Sequence, residues 1–385
     1  MQIIQSVCGT FWHFDLANEL ESLGYLKRVY SSFPWIRLRR EGVPKERVRT
    51  FPWIHGPWMA AHRYGIMPHG IANQTAVLNA RIFDAWVASH IEVCDALIAL
   101  SGCGLLAGRT VQRRGGRYIC DRGSSHIRYQ SKILKEEYAR WGFKGDKVDA
   151  RVVDREEKEY AEADAITVPS EFARRTFIQF GINENKVRTI PFGVRLDRFR
   201  KTAAPQPNSL EVLFAGTVSI RKGIPYLLDA FTKLKHPMKR LRLAGPVEPQ
   251  MRSLFSRFDL THVDVLGRQT QEELAKWMNV SHVMVLPSVE DGFGLVMAQA
   301  MACGTPVIAS ENTGGPDLFA DGVDGFVIPT RSPEAICERL TLLADNPDLQ
   351  QRMGAAALAH VEHLGGWKDY GRRYADFLQE LTGEN

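Results

Sequence analysis

The stretch VMVLPSVEDGFGLVMAQAMACGTPVIAS, residues 283–310, decides the fold. An unbroken apolar run ends in Pro-Ser, an acidic loop with two glycines follows, then a helix-spaced run, a small-residue turn and a second apolar run. Strands that are apolar along their whole length belong to a parallel sheet covered on both faces. Strand, helix and strand at this spacing make a right-handed βαβ unit. The same spelling continues outward in EVLFAGT (211–217), RLRLAGP (240–246), HVDVLG (262–267) and GFVIP (325–329), with helical patterns between them. The latter half is therefore a doubly wound α/β domain, and ligands in such domains sit beyond the carboxyl ends of the strands.

The first half uses the same alphabet less regularly. MQIIQSV (1–7), DALIALSG (95–102), GRYICD (116–121), AITVPS (165–170) and KVRTIPFG (186–193) read as strands. The helical stretch DARVVDREEKEYAEAD (149–164) reads as a solvated face because of its charges. RKTAAPQPNS (200–209) has two prolines and no apolar period, the composition of a linker. Two Rossmann-like domains facing across a cleft are predicted: 1–204, 205–365, and a terminal amphipathic helix in 366–385 that packs back toward the first.

Composition sets the outer bounds. The 385 residues suggest two or three domains. With 44% hydrophobic and 24% charged residues, disorder is not the main state. No apolar run approaches the ~18 residues of a spanning helix, and the N-terminus lacks the basic start of a secretory signal, so a cytoplasmic protein is expected. A net charge of +5 is too mild to call for nucleic acid. The six cysteines are scattered, with no metal spacing, which fits buried thiols in a reducing compartment.

Three loops carry chemistry. In the first, Gly292 and Gly294 let the backbone approach a ligand, and the helix opening near Phe293–Leu295 aims N–H groups at a phosphate. Asp291 stands one residue before these glycines, where its carboxylate reaches toward hydroxyls, and Gln299 can bond a ribose. In the second, FAGTVSIRKGIPYLLDAF (214–231), Gly216 and Thr217 end a strand, and Arg221 and Lys222 precede a helix as a clamp for a diphosphate. In the third, Gly314 and Gly315 make another close turn, and Asp317 starts a helix. A ligand with a base, a ribose, a diphosphate and a polyol suits all three: a nucleotide sugar.

Over roughly residues 186–345, and in TVPSEFARRTF…GINENKVRTIPFGV (167–194), the chain resembles the retaining glycosyltransferases of the two-Rossmann (GT-B) type, often called family 4. The resemblance implies transfer of a sugar from a nucleotide-diphosphate sugar to a hydroxyl acceptor, glycan or lipid-linked, with retention and with neither metal nor cofactor. The family's two acids fall here on Asp291, on the sugar side, and Gln299, on the ribose side. Its diphosphate-binding Arg and Lys fall on Thr217 and Lys222, with Arg221 beside the latter. Its Gly-Gly…Glu turn falls on Gly314 and Gly315 with Asp317. Both acids depart from the usual glutamate, and Glu290 is an alternative sugar-side acid. A neutral amide still accepts a ribose O–H, so the change at 299 forfeits about 1 kcal/mol.

The N-terminal half supplies the acceptor side. Gly9 ends the first strand and His13 follows. After Asp121 comes a loop with Ser124, Ser125 and His126, and related enzymes often touch the transferred sugar with a His there. His126 is the expected one and His13 its rival; serine caps and a surface histidine are the competing interpretation. Residues 25–64 gather Lys, Arg and Trp, including Trp35, Trp53 and Trp58. They fit either a solvated face or a peripheral contact with an anionic membrane at its inner face. A nucleotide-sugar epimerase, a phosphorylase or a non-catalytic nucleotide-sugar binder are the other functions this architecture permits.

Overall fold

The computed structural model describes residues 1–53, 69–145 and 148–383. Its two sheets are parallel throughout. The first runs β3-β2-β1-β4-β5-β6-β7, from β1 (Ile3–Val7), β2 (Leu26–Ser31), β3 (Val48–Thr50), β4 (Ala96–Leu100), β5 (Arg117–Asp121), β6 (Ala165–Val168) and β7 (Val187–Thr189). The second runs β10-β9-β8-β11-β12-β13, from β8 (Leu210–Ala215), β9 (Lys239–Ala244), β10 (Val263–Gly267), β11 (Val283–Leu286), β12 (Val307–Ser310) and β13 (Gly325–Ile328). Each order reverses once, between β1 and β4 and between β8 and β11. Crevices open at such reversals beyond the strand ends. The burial is that of double-sided sheets: every residue of β1, β6, β11 and β12 is buried.

β2 and β3 are two strands that the sequence pattern hides. LKRVYS carries Lys27 and Arg28, yet both charges are satisfied by residues remote in the chain. Lys27 Nζ donates to the Val93 carbonyl at 2.7 Å, and Arg28 pairs with Glu92 at 2.7 Å. Arg47 likewise pairs with Glu21. The stretch 25–53 is thus partly sheet rather than a uniform basic face; Trp58 and the rest of 54–64 lie outside the described residues. Ile36 and Trp53 remain 71% and 76% exposed.

The helix Ala150–Glu162 also departs from expectation. Arg155, Glu156 and Glu159 are buried rather than solvated. Arg155 pairs with Asp84, and Glu156 with Arg122 at 2.7 Å. Charges are taken inside only when paired in this way.

The chain passes between domains at two adjoining places, where Val194 bridges Gly366. A Cβ on Gly193 would stand 2.5 Å from the Gly366 oxygen, so the two crossings lie backbone to backbone. The proline-bearing segment after the first crossing is already laid on the second domain, with Asn279 Oδ1 accepting from the amides of Thr202 and Ala203. Residue 205 therefore falls beyond the crossing. The helix Trp367–Thr382 returns to the first domain. Its Tyr374 hydroxyl meets Thr167 Oγ1 at 3.0 Å, and Gln379 donates to the Tyr25 hydroxyl. Among the described residues no helix is long and apolar enough to cross a membrane.

Candidate active site

The site is built where the loops after β8 and β11 press together. Gly223 has φ +71°, and a Cβ there would lie 1.9 Å from the Pro287 carbonyl oxygen. Only glycine lets Arg221 and Lys222 approach the end of β11 so closely. The Val289 amide then donates to the Arg221 carbonyl at 2.9 Å. As a result Lys222 Nζ forms an ion pair with Asp291. Asp291 is one residue from Gly292, and the helix Val296–Ala302 starts just beyond. Lys222 and the Gly292–Gly294 turn thus share one corner, and Lys222 and Asp291 are both partly open to solvent. Gly216, Thr217, Leu295 and Gln299 lie half-buried at the same strand ends.

Arg221 differs from its expected role. Its side chain is 32% exposed and its guanidinium pairs with Glu290 at 2.8 Å, while its Nε donates to the Glu290 carbonyl at 3.1 Å. Its partner is wholly buried, whereas both members of the Lys222–Asp291 pair are partly open to solvent, so of the expected clamp Lys222 is the cation a ligand can reach. Glu290 is wholly buried and accepts from Ser124 Oγ and Ser125 Oγ, each at 2.7 Å, and from Gln130 Nε2 at 3.0 Å. Burial alone would raise its pKa, but Arg221 and these donors prevail and hold it down to about 2. Glu290 is therefore no sugar-side acid. It is an ionised latch between the domains, a role with no periodic signal in the sequence because its partners Ser124, Ser125 and Gln130 lie more than a hundred residues away.

The same seam closes around Gly292. A Cβ there would stand 2.1 Å from the Gly123 oxygen, and its carbonyl accepts from Ser170 Oγ. Asp317 is spent on the seam too: it accepts the Glu171 amide at 3.0 Å, at the start of the helix Glu171–Gln179 in the other domain. Phe293 turns inward against Phe192, ring centroids 5.3 Å apart, and serves packing instead of ligand contact.

The two expected histidines of the N-terminal half are both buried. His126 caps the helix Ile127–Arg140, its Nδ1 accepting the Arg128 amide, and its ring lies among Tyr160, Phe177 and Phe180. Burial lowers its pKa to about 4, so it is a neutral core cap. His13 opens the helix His13–Ser22, wholly buried, with Nε2 3.3 Å from Asp121 Oδ2. Burial lowers it to about 3. Asp121 accepts from Trp12 Nε1 at 2.6 Å and from Thr167 Oγ1 at 2.7 Å, yet burial still raises it to about 6. Gly9 is buried under Phe33, and its carbonyl accepts from Ser31 Oγ. The residue that faces outward at this turn is Phe11, 56% exposed and held at φ +47°. Such a conformation is unusual for a bulky residue, and such strain gathers at functional sites. Among the described residues no group of three His, Cys, Asp or Glu side chains is placed to hold a metal ion.

Two Rossmann-like domains joined at a double crossing, with the terminal helix returned to the first, define the GT-B class of glycosyltransferase folds. Residues 197–360 match the family described as glycosyl transferases group 1. Among curated proteins, the D-inositol 3-phosphate glycosyltransferase of Streptomyces bingchenggensis is 33% identical over 256 residues, covering 60% of this chain and 56% of that protein. The namesake from Streptomyces scabiei is 36% identical over 205 residues, 47% of this chain and 46% of that one. The chain spans about half the length of these relatives. Among solved structures, sucrose-phosphate synthase from Thermosynechococcus elongatus superposes with TM-score 0.74 at 20% identity, covering both chains fully. Anabaena HepE in complex with UDP and glucose superposes with TM-score 0.72 at 16% identity, over 99% of this chain and 100% of that one. These structures share the fold.

Proposed function

We propose that this chain is a retaining glycosyltransferase that moves a sugar from a nucleotide-diphosphate sugar to a hydroxyl acceptor without a metal ion. The observation that carries the proposal is the Lys222–Asp291 ion pair beside the Gly292–Gly294 turn. An ammonium has three donors. One is engaged by Asp291, leaving two for phosphate oxygens. As the glycosidic bond breaks, charge grows on the leaving diphosphate, and a fixed cation stabilises that charge more than it stabilises the ground state. Lys222 supplies this role in place of a divalent ion, beside the start of the helix Val296–Ala302, where the Met297 amide is already given to the Gly294 carbonyl at 2.8 Å. Asp291, held by Lys222, orients sugar hydroxyls, and Gln299 accepts a ribose hydroxyl. Retention is carried by the family resemblance.

The relatives named above include glycosyltransferases and a protein in complex with UDP and glucose. These support a nucleotide-sugar donor. A peripheral contact with an anionic surface is part of the proposal, because exposed Ile36 adjoins exposed Arg37, Arg39 and Arg40.

The test begins with a thermal-shift screen of UDP- and GDP-sugars, since binding to the folded state raises apparent stability. Product analysis follows, with and without a chelator. Nucleoside diphosphate released with an acceptor, with the anomeric configuration kept, supports transfer. Interconversion of the sugar without release points to an epimerase, and binding with neither points to a non-catalytic binder. Activity abolished by the chelator overturns metal independence.

A further inference from the structure

The helix Ile127–Arg140 of the N-terminal domain runs along the seam. Gln130, Leu134, Glu137 and Tyr138 are all buried on it, and their spacing makes them one stripe. Leu134 and Tyr138 belong to the same apolar cluster as Tyr226 of the second domain. Gln130 and Glu137 are seven residues apart, so they share this face about 10 Å from each other along the axis. Gln130 donates to Glu290, the neighbour of Asp291 in the chain.

Glu137 is a wholly buried carboxylate. It accepts from Trp141 Nε1 at the end of its own helix at 3.0 Å. Its other two donors come from the second domain: the Tyr226 hydroxyl and Arg331 Nε, each at 2.6 Å. Tyr226 lies in the first turn of the helix Ile224–Lys233, into which Lys222 and Gly223 lead directly. Arg331 follows β13 with φ +60°, uncommon for any residue that bears a side chain, and it also pairs with Glu136 at 2.9 Å. A carboxylate is taken inside when it is matched in this way.

Tyr138 reaches the same loop from the next position. Its hydroxyl donates to Glu248 at 2.7 Å, and the Glu248 amide donates to the Val218 carbonyl at 3.0 Å, in the loop that leads to Lys222. Burial and the Glu248 carboxylate push the Tyr138 pKa up, against the charge of Arg221 and a hydrogen bond from the Arg221 main chain. Arg221 is the residue before Lys222. One helix face therefore holds both loops of the ion pair, the Asp291 loop through Gln130 and the Lys222 loop through Glu137 and Tyr138.

We propose that Glu137 and Tyr138 are positioning residues that, from the N-terminal domain and without touching substrate, fix Lys222 against Asp291 at the donor corner. The inference rests on the transferase reading above. The charge on Lys222 counts most as the diphosphate departs, so a slightly displaced ammonium loses rate before it loses affinity.

The test uses the full chain and the nucleotide sugar that gives the largest thermal shift. Release of nucleoside diphosphate, to water and to octyl glucoside, gives kcat and the donor KM. Tyr138→Phe and Glu137→Gln are each expected to lower kcat about tenfold, with KM moved less than about twofold. Placed on Lys222→Ala, either change should cost less than about twofold more, because the group it positions is already gone. A purely structural contact would instead lower the melting temperature and leave kcat of the folded protein intact. Wild-type kcat in a folded variant, or losses that multiply fully on Lys222→Ala, overturns the positioning role. If Glu137→Gln does not fold, Tyr138→Phe decides, since Glu248 is partly open to water and tolerates the lost hydroxyl. A wild type that releases no nucleoside diphosphate from any nucleotide sugar overturns the transferase reading, and the inference falls with it.

Discussion

Glu290 and Arg221 stand 2.8 Å apart at the seam between the domains, and every other side chain bound to the Glu290 carboxylate comes from the opposite domain. One buried charge therefore fixes both the guanidinium beside the donor corner and the approach of the two halves. Replacing it with glutamine keeps the shape and removes the charge. The pKa is depressed from 4.5 to about 2. The stability it contributes is thus fully present above the unfolded value and lost as pH falls toward the folded one. Glu290→Gln should cost about 3 kcal/mol near neutrality, a deficit that narrows by about 2 kcal/mol on going from about pH 6 to about pH 3. Urea unfolding of both proteins at the two pH values measures this, and a gap independent of pH would refute the latch.

Asp121 has the opposite sign. Burial raises it from 3.8 to about 6, so its ionisation costs stability, and that cost grows as pH climbs from the unfolded value through the folded one. Asp121→Asn retains an acceptor for Trp12 or Thr167 and never ionises. Relative to wild type, the variant should gain about 2 kcal/mol between about pH 4.5 and about pH 8. Denaturation at both ends checks this; a variant that loses ground as pH rises would show that the carboxylate is stabilised by its bonds after all.

Lys222 and Asp291 should behave as a unit. Lys222→Ala removes the placed cation and should lower turnover by about 10²-fold. Asp291→Asn should lower turnover while sparing nucleotide affinity, because its partner stays free to hold phosphate. The double variant should lose less than the product of the two single losses, since each already breaks the shared pair. Steady-state kinetics of the three variants test this, and strictly multiplicative losses would mean that the ion pair has no part in the reaction.

How much of this was readable beforehand depends on where the partners lie. β11, its glycine loop and the helix after it are consecutive in the chain, and so are β8, Lys222 and the helix after it. Their spacing announces them. β2 was concealed because Lys27 and Arg28 break the apolar run, and their relief comes from Glu92 and Val93, far along the chain. The helix Ala150–Glu162 looked solvated for the same reason: Asp84 and Arg122, which neutralise Arg155 and Glu156, are remote. His126 is expected at the site because the family resemblance places a sugar-contacting His on this loop. Its aromatic surroundings, Tyr160, Phe177 and Phe180, come from two later helices or their ends. Periodicity reports local backbone; it does not report which distant side chain satisfies a buried charge.

Gln299 offers a test that separates donor binding from chemistry. It lies half-buried on the helix Val296–Ala302, where the family resemblance places a second acid toward the ribose. A carboxylate accepts a hydroxyl proton in a charge-assisted bond, worth roughly 1 kcal/mol more than the bond to an amide. Gln299→Glu should therefore tighten nucleotide-sugar binding about fivefold. On the proposed placement the ribose contact is remote from the breaking bond and equally strong in ground and transition states, so KM should fall while kcat holds. Titration calorimetry with UDP or GDP and steady-state kinetics give both quantities. Weaker binding in the variant would mean that the added negative charge faces the diphosphate instead of the ribose, and the placement of the nucleotide along this helix would then have to be turned end for end.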